Sequence, residues 1–178
     1  FVVPGALGDH LCGPFRPGHF RGVLTVVLKL FSIVQPDRAY FGKKDYQQWR
    51  ILERMARDFN LPVEVVGLPT VREPDGLAMS SRNRYLSPAD RAKALCLSRA
   101  LRAGRDLVAG GEGDPKRVEA AMRAVVETEG GVAVDYISIV DAVTLQPLGR
   151  ITGNLLLVGA ARIGRTRLID NLEVAAPG

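Results

Sequence analysis

Two short stretches of this chain carry side chains that could act on an anion. The first is Phe41-Gly42-Lys43-Lys44-Asp45-Tyr46-Gln47-Gln48. It reads as a strand end, a tight turn and a helix start. Gly42 permits a backbone conformation that a side chain would obstruct. Lys44 puts a cation on the turn, and Asp45 stands at a helix N-cap position with Gln48 three residues on. Helix N-termini aim free N–H groups outward and suit anions. The turn is therefore a candidate phosphate corner at the C-terminal end of a strand, where ligands of open α/β sheets sit. The same residues equally fit a plain capping box that binds nothing. The second stretch, Met79-Ser80-Ser81-Arg82, offers two hydroxyls and a guanidinium in succession. Arginine can grip phosphate oxygens bidentately and serine can donate to them; the alternative is a solvated loop whose serines bond their own backbone. A third, smaller group is Arg16 and His19, placed just before a helix. They read either as phosphate-side groups at its positive end or as a solvated loop charge and a structural histidine.

Positioning these groups requires a βαβ unit. Residues 1–18 are rich in Gly and Pro and read as an irregular lead-in. A helix is predicted over His19 to Val34, apolar round most of its surface and so mostly buried. Arg38–Gly42 is a short strand, Asp45–Phe59 a helix with Trp49, Leu52, Met55, Ala56 and Phe59 on one face, and Val63–Gly67 the next strand. Strand, helix and strand at this length imply a parallel pair with a right-handed crossover. A parallel sheet needs cover on both faces, and one such unit is not a whole domain. Pro69–Arg84 is a polar loop with a turn at Asp75-Gly76.

The remainder changes character. Ser87-Pro88-Ala89-Asp90 starts a helix that stops at Gly110-Gly111, and Asp114-Pro115 starts another that ends at Gly130-Gly131. Strands are predicted at Ala133–Val140, Asn154–Ala161 and Thr166–Leu172, with Arg162–Arg165 as a hairpin turn. The expected fold class is α/β: residues 1–70 carry a βαβ unit with a parallel sheet, and residues 71–178 a smaller α+β domain with a short antiparallel sheet.

Composition narrows the function. With 178 residues, 47% hydrophobic and 24% charged, the chain is an ordinary globular sequence. A net charge of +5 admits nucleic acid or a small polyanion as ligand. The basic residues are scattered and aromatics are only 6%, which disfavours a base-stacking surface. Cys12 and Cys96 have no metal-ligand spacing and suit a reducing cytoplasm. No apolar run is long enough to span a membrane, and Phe1-Val2-Val3 does not read as a signal peptide. The absence of an opening Met suggests a processed, truncated or partial chain.

Arg16-Pro17-Gly18-His19-Phe20-Arg21-Gly22-Val23, Phe41 to Gln48 and Ser80-Ser81-Arg82-Asn83-Arg84-Tyr85-Leu86 together resemble the pantoate–β-alanine ligase family, and Thr166-Arg167-Leu168-Ile169-Asp170-Asn171 fits that family's C-terminal end. The resemblance runs from about Leu7 onward, and it implies that residues 1–70 are the C-terminal half of a Rossmann-like nucleotidylyltransferase domain and residues 71–178 the smaller α+β domain that covers the site. It implies a cytoplasmic homodimer that joins pantoate to β-alanine with ATP and Mg²⁺ through a pantoyl adenylate, releasing pyrophosphate and then AMP. No nucleic-acid or membrane partner is implied. Carried over residue by residue, Gly42, Lys43, Lys44 and Asp45 would contact ATP, and Gln48 would hydrogen-bond pantoate. Val71 would hold adenine through its backbone, and Met79, Ser80, Ser81 and Arg82 would close on the phosphates. Lys44 and Arg82 would be the catalytic cations. No residue of this chain is expected to ligate a metal.

The chain departs from the family in one respect. A His-x-Gly-His-like motif is expected early in the nucleotide-binding domain, and neither His10 nor His19 stands in one. A glutamine that touches both pantoate and β-alanine is also not found. The resemblance therefore implies the C-terminal portion of such a ligase, inactive by itself, or a non-catalytic fragment that keeps partial nucleotide or pantoate binding or dimer contacts.

Overall fold

The computed structural model describes residues 1–177 and divides into two compact units, Phe1–Thr70 and a second from Val71 onward. In the first unit a 3-10 turn at Gly5–Gly8 and a one-turn helix α1 (Cys12–Phe15) lead into helix α2 (His19–Val34). Strand β1 (Arg38–Gly42) follows, then a 3-10 turn at Lys43–Asp45, helix α3 (Tyr46–Asp58) and strand β2 (Glu64–Leu68). The strands pair in parallel, from Arg38 opposite Glu64 to Gly42 opposite Leu68. An ion pair of 2.7 Å between Arg38 Nε and Glu64 Oε2 closes the outer end of the register. The α/β reading thus holds, with the crossover helix α3 between two parallel strands.

Two details of burial differ from the sequence expectation. Only Phe20, Leu24 and Phe31 of α2 are buried, while Val26, Leu30, Ile33 and Val34 are each at least half exposed. Two strands and one neighbouring helix offer too little surface to cover a helix that is apolar round most of its circumference. Phe59 is also about half exposed, because the helix has ended and it occupies the C-cap with non-helical torsions. The buried stripe of α3 is instead Tyr46, Gln47, Ile51, Leu52, Met55 and Ala56.

The second unit contains helices α4 (Pro88–Ala109) and α5 (Pro115–Glu127) and strands β3 (Val132–Asp141), β4 (Asn154–Ile163) and β5 (Thr166–Ala175). Both helix starts form as their sequences specify. Ser87 Oγ accepts from Asp90 N at 3.1 Å, and Asp114 Oδ1 accepts from Lys116 N at 2.9 Å. The sheet is antiparallel in the order β3-β4-β5, and β4 meets β5 through the turn Gly164-Arg165. Leu97 and Leu101 of α4 and Val118 and Met122 of α5 share one core with Leu155 and Leu157 of β4. A bulge in β3 between Val134 and Tyr136 leaves Asp135 outside the regular pairing. There its carboxylate accepts from Arg167 Nε at 2.6 Å.

Candidate functional site

The residues singled out from sequence fall into two groups, one on each unit. The corner of the first unit is built on the end of β1, where Gly42 gives way to the turn Lys43–Asp45 and then to α3. Gly42 corrects one expectation. Its torsions are ordinary extended ones (φ −71°, ψ 127°), so the backbone does not require glycine. A Cβ there would meet no protein atom within 4 Å, which leaves the strand end bare. Close approach is demanded at the neighbouring Gly67 on β2, where a Cβ would come within 2.6 Å of the Trp49 ring. That glycine lets the indole pack closely against the sheet. The Lys43 ammonium in turn sits over the indole, 4.9 Å from its centroid. Lys44 stands half-buried beside it on the turn.

The capping-box reading of this corner is not what forms. Asp45 occupies the N-cap of α3, but its side chain makes no capping hydrogen bond, because the preceding 3-10 turn already sets the entry of the chain. Gln48 is half-buried and its amide has no hydrogen-bond partner among the described residues. Its neighbour Gln47 is a structural clamp that sequence reasoning missed. Gln47 Oε1 accepts from Cys12 N at 3.0 Å, and Nε2 donates to the carbonyls of Leu7 and His10, each at 2.8 Å. This single side chain ties the lead-in segment to α3. Arg16 and His19 lie at the start of α2, both half-buried, with the His19 ring 5.1 Å from that of Phe20.

The second group lies on the strap from Val71 to Tyr85. Val71 is well exposed, and its carbonyl accepts from Met79 N at 2.9 Å, so the two ends of the strap's first turn are joined. Over its first half the strap is pinned. Arg72 Nη1 and Nη2 grip the buried Asp170 carboxylate at 2.8 and 2.9 Å and also donate to the carbonyls of Gly76 and Asn171. Arg91 of α4 holds Glu73 Oε2 at 2.6 Å and Asp75 Oδ2 at 2.6 Å. Hydrogen bonds from Asn83 and Arg91 keep the Glu73 carboxyl below its ordinary range, and the Leu77 N–H with Arg91 does the same for Asp75. None of these partners was visible as a functional signal in the sequence, since the pairings reach up to 99 residues along the chain.

Beyond this anchorage the strap changes use. Ser80 Oγ accepts from Arg82 N at 3.2 Å, which caps the 3-10 turn Ser81–Tyr85 and uses the hydroxyl only as an acceptor. Ser81 and Arg82 are exposed, and their side chains have no hydrogen-bond or ion-pair partner among the described residues. Arg82 lines an open cleft of about 710 Å³ with Tyr85, Asp90 and the β4–β5 turn. The arrangement is a rigid base that offers a hydroxyl and a guanidinium outward, which suits an anionic oxygen.

Residues 1–173 match the family model described as pantoate-β-alanine ligase. The chain is 54% identical over 172 residues to the pantothenate synthetase of Moorella thermoacetica, covering 97% of this chain and 61% of that protein. It is 55% identical over 174 residues to that of Heliobacterium modesticaldum, covering 98% and 62%. Among solved structures, it superposes on the pantothenate synthetase of Thermus thermophilus with a TM-score of 0.94 at 48% identity, over 98% of this chain and 63% of that one. The pantoate-β-alanine ligase of Francisella tularensis, solved with β-γ ATP and β-alanine, superposes with a TM-score of 0.70 at 32% identity, over 97% and 57%. The chain thus spans about three fifths of the length of the curated relatives it matches.

Proposed function

The chain belongs to the pantoate–β-alanine ligase family, and from that premise we propose that it supplies the phosphate-gripping and pantoate-holding side of an ATP-dependent pantoate–β-alanine ligase. The pantoate carboxylate oxygen attacks the α-phosphorus of ATP, the bond from that phosphorus to the bridging oxygen breaks, and pyrophosphate leaves. The β-alanine amine then attacks the carbonyl carbon of the pantoyl adenylate. The acyl–oxygen bond to AMP breaks, the amine loses a proton, and pantothenate and AMP are formed.

The residues have distinct roles in this proposal. Lys44 and Arg82 offset the charge that develops as pyrophosphate leaves, and Ser80 and Ser81 donate to phosphate oxygens. Lys43 and Asp45 contact ATP, and the bare strand end at Gly42 lets the nucleotide approach the backbone. Val71 meets adenine through its main chain, Met79 belongs to the loop that closes on the phosphates, and Gln48 pairs with pantoate. Arg16 and His19 stand on the phosphate side. The barrier is largely electrostatic, because two anions must join, and fixed cations and donors lower it most. The observation that carries the proposal is the contrast within the strap: every charged group from Arg72 to Asp75 is satisfied inside the protein, while Arg82 is not. Mg²⁺ belongs to the same family reading. Among the described residues no group of three His, Cys, Asp or Glu side chains could hold it, so no all-protein cage fits it here. A cytoplasmic homodimer accompanies the reading; no helix among the described residues is long and apolar enough to cross a membrane.

A second reading is a non-catalytic binding role for residues 1–178, favoured by the lack of a His-x-Gly-His motif among them. One experiment separates the two. A chimera joins residues 1–178 to the portion of the Moorella relative that this chain does not match. It is incubated with ATP, pantoate and β-alanine beside the 178-residue chain alone. The ligase reading expects pantothenate and AMP in equal amounts from the chimera and none from the chain alone. A folded chimera that binds ATP and forms no AMP would overturn it and leave the binding role.

A further inference from the structure

Glu73 divides its carboxylate between two elements. Oε2 accepts from Arg91 of α4 at 2.6 Å, and Oε1 accepts from Asn83 Nδ2 at 2.7 Å. Asn83 directly follows Arg82 and is the one buried residue of the turn Ser81–Tyr85. Its Nδ2 also donates to the carbonyl of Ala78 at 3.1 Å, so both amide hydrogens are used. Its Oδ1 is buried with no partner among the described residues. An apolar side chain at this position would escape that penalty, since an unpaired buried acceptor is unfavourable. The cost is offset by what Nδ2 does, which is to fix the turn from inside.

We propose that Glu73 is a positioning residue that acts through Asn83 to aim the Arg82 guanidinium and the Ser81 hydroxyl at the ligand phosphates. The inference rests on the reading of Arg82 as a phosphate grip. Two backbone ties support it: Asn83 N donates to the Ser80 carbonyl at 3.0 Å, and Arg82 N to Ser80 Oγ at 3.2 Å. With Asn83 held by a carboxylate that Arg91 clamps, the turn has little freedom to tilt. Arg82 then leaves a fixed backbone, and a fixed cation opposes developing charge without reorganising. Pinning the strap as a whole does not need Glu73, because Arg72 and Asp170 already do so from separate residues.

The test uses Glu73→Ala, Asn83→Ala, the double variant and Arg82→Ala. In the 178-residue chain, Glu73→Ala should speed amide exchange at Arg82, Asn83 and Leu86 about tenfold while α4 and β5 keep their protection. In the chimera, each of Glu73→Ala and Asn83→Ala should weaken ATP binding about tenfold, measured by calorimetry, and the double variant should lose no more than either single one. Unchanged exchange, losses that multiply in the double variant, or loosening that spreads through α4 would overturn the inference. If Arg82→Ala binds ATP as tightly as the parent, the phosphate-grip reading fails and the inference falls with it. If Arg82→Ala weakens binding and Glu73→Ala does not, only the inference falls.

Discussion

Gln47 and Gln48 are adjacent on α3 and put to opposite uses: the first spends its whole amide on the lead-in segment, while the second, half-buried, meets no partner among the described residues. Gln47→Leu should therefore destabilise the first unit by about 3 kcal/mol, since it strands the Cys12 N–H and the Leu7 and His10 carbonyls. Gln48→Leu should change stability by less than about 0.5 kcal/mol. Urea unfolding of the two variants checks the difference. In the chimera Gln48→Leu should raise the pantoate requirement and leave ATP binding intact; unchanged pantoate affinity would remove Gln48 from the substrate site.

Arg82→Ala and Lys44→Ala should each slow pyrophosphate release by the chimera on the order of 10²–10³-fold, the usual loss when one preorganised charge-stabilising group is removed. Arg82→Ala should also leave the melting temperature unchanged, because its side chain has no partner to lose among the described residues. Pre-steady-state release of pyrophosphate measures the chemical step, and release at the parent rate would exclude the residue from it.

The Arg72–Asp170 pair should behave as a structural tie. Asp170 is buried, so Arg72→Ala leaves a carboxylate without its counter-ion and should cost about 3 kcal/mol or more. Chemical unfolding gives the value. A cost under about 0.5 kcal/mol would place the pair among exposed ones that contribute little.

Acid should loosen the strap. Glu73 and Asp75 titrate below their ordinary ranges in the fold, chiefly through Asn83 for the first and the Leu77 N–H for the second. The unfolded chain takes up protons first as pH falls. The stability these carboxylates contribute is therefore whole above the ordinary carboxylate range of about 4 and lost as pH drops through their depressed folded values. Melting temperatures followed from pH 6 downward should fall most below about pH 4, and Glu73→Gln should flatten part of that slope. A slope unaltered in Glu73→Gln would contradict the assignment.

The uncovered side of α2 should make residues 1–178 associate. Val26, Leu30, Ile33 and Val34 form an exposed apolar stripe of the kind that drives self-association. Sedimentation should show mass rising with concentration, and Ile33→Lys should reduce it. A monomer at all concentrations would show that the stripe is tolerated in water.

Much of this protein was legible along the chain. Helix α2 was predicted over the span it occupies, and β1 likewise, because period, Gly and Pro are local signals. Ser87 and Asp114 cap the helices that their sequences announce, since a cap bonds only two or three residues away. Lys44, Gln48 and the Ser80–Arg82 run stood out by residue type. The sequence could not say which polar groups are already used. Gln47 and Gln48 look alike as letters, yet only the first is taken up by Cys12, Leu7 and His10. The pinning of the strap by Asp170 and Arg91 was hidden for the same reason. Capping and periodicity are set by neighbours within a turn or two, so the sequence alone determines them; partnership across tens of residues depends on which surfaces meet, and only the tertiary structure decides it.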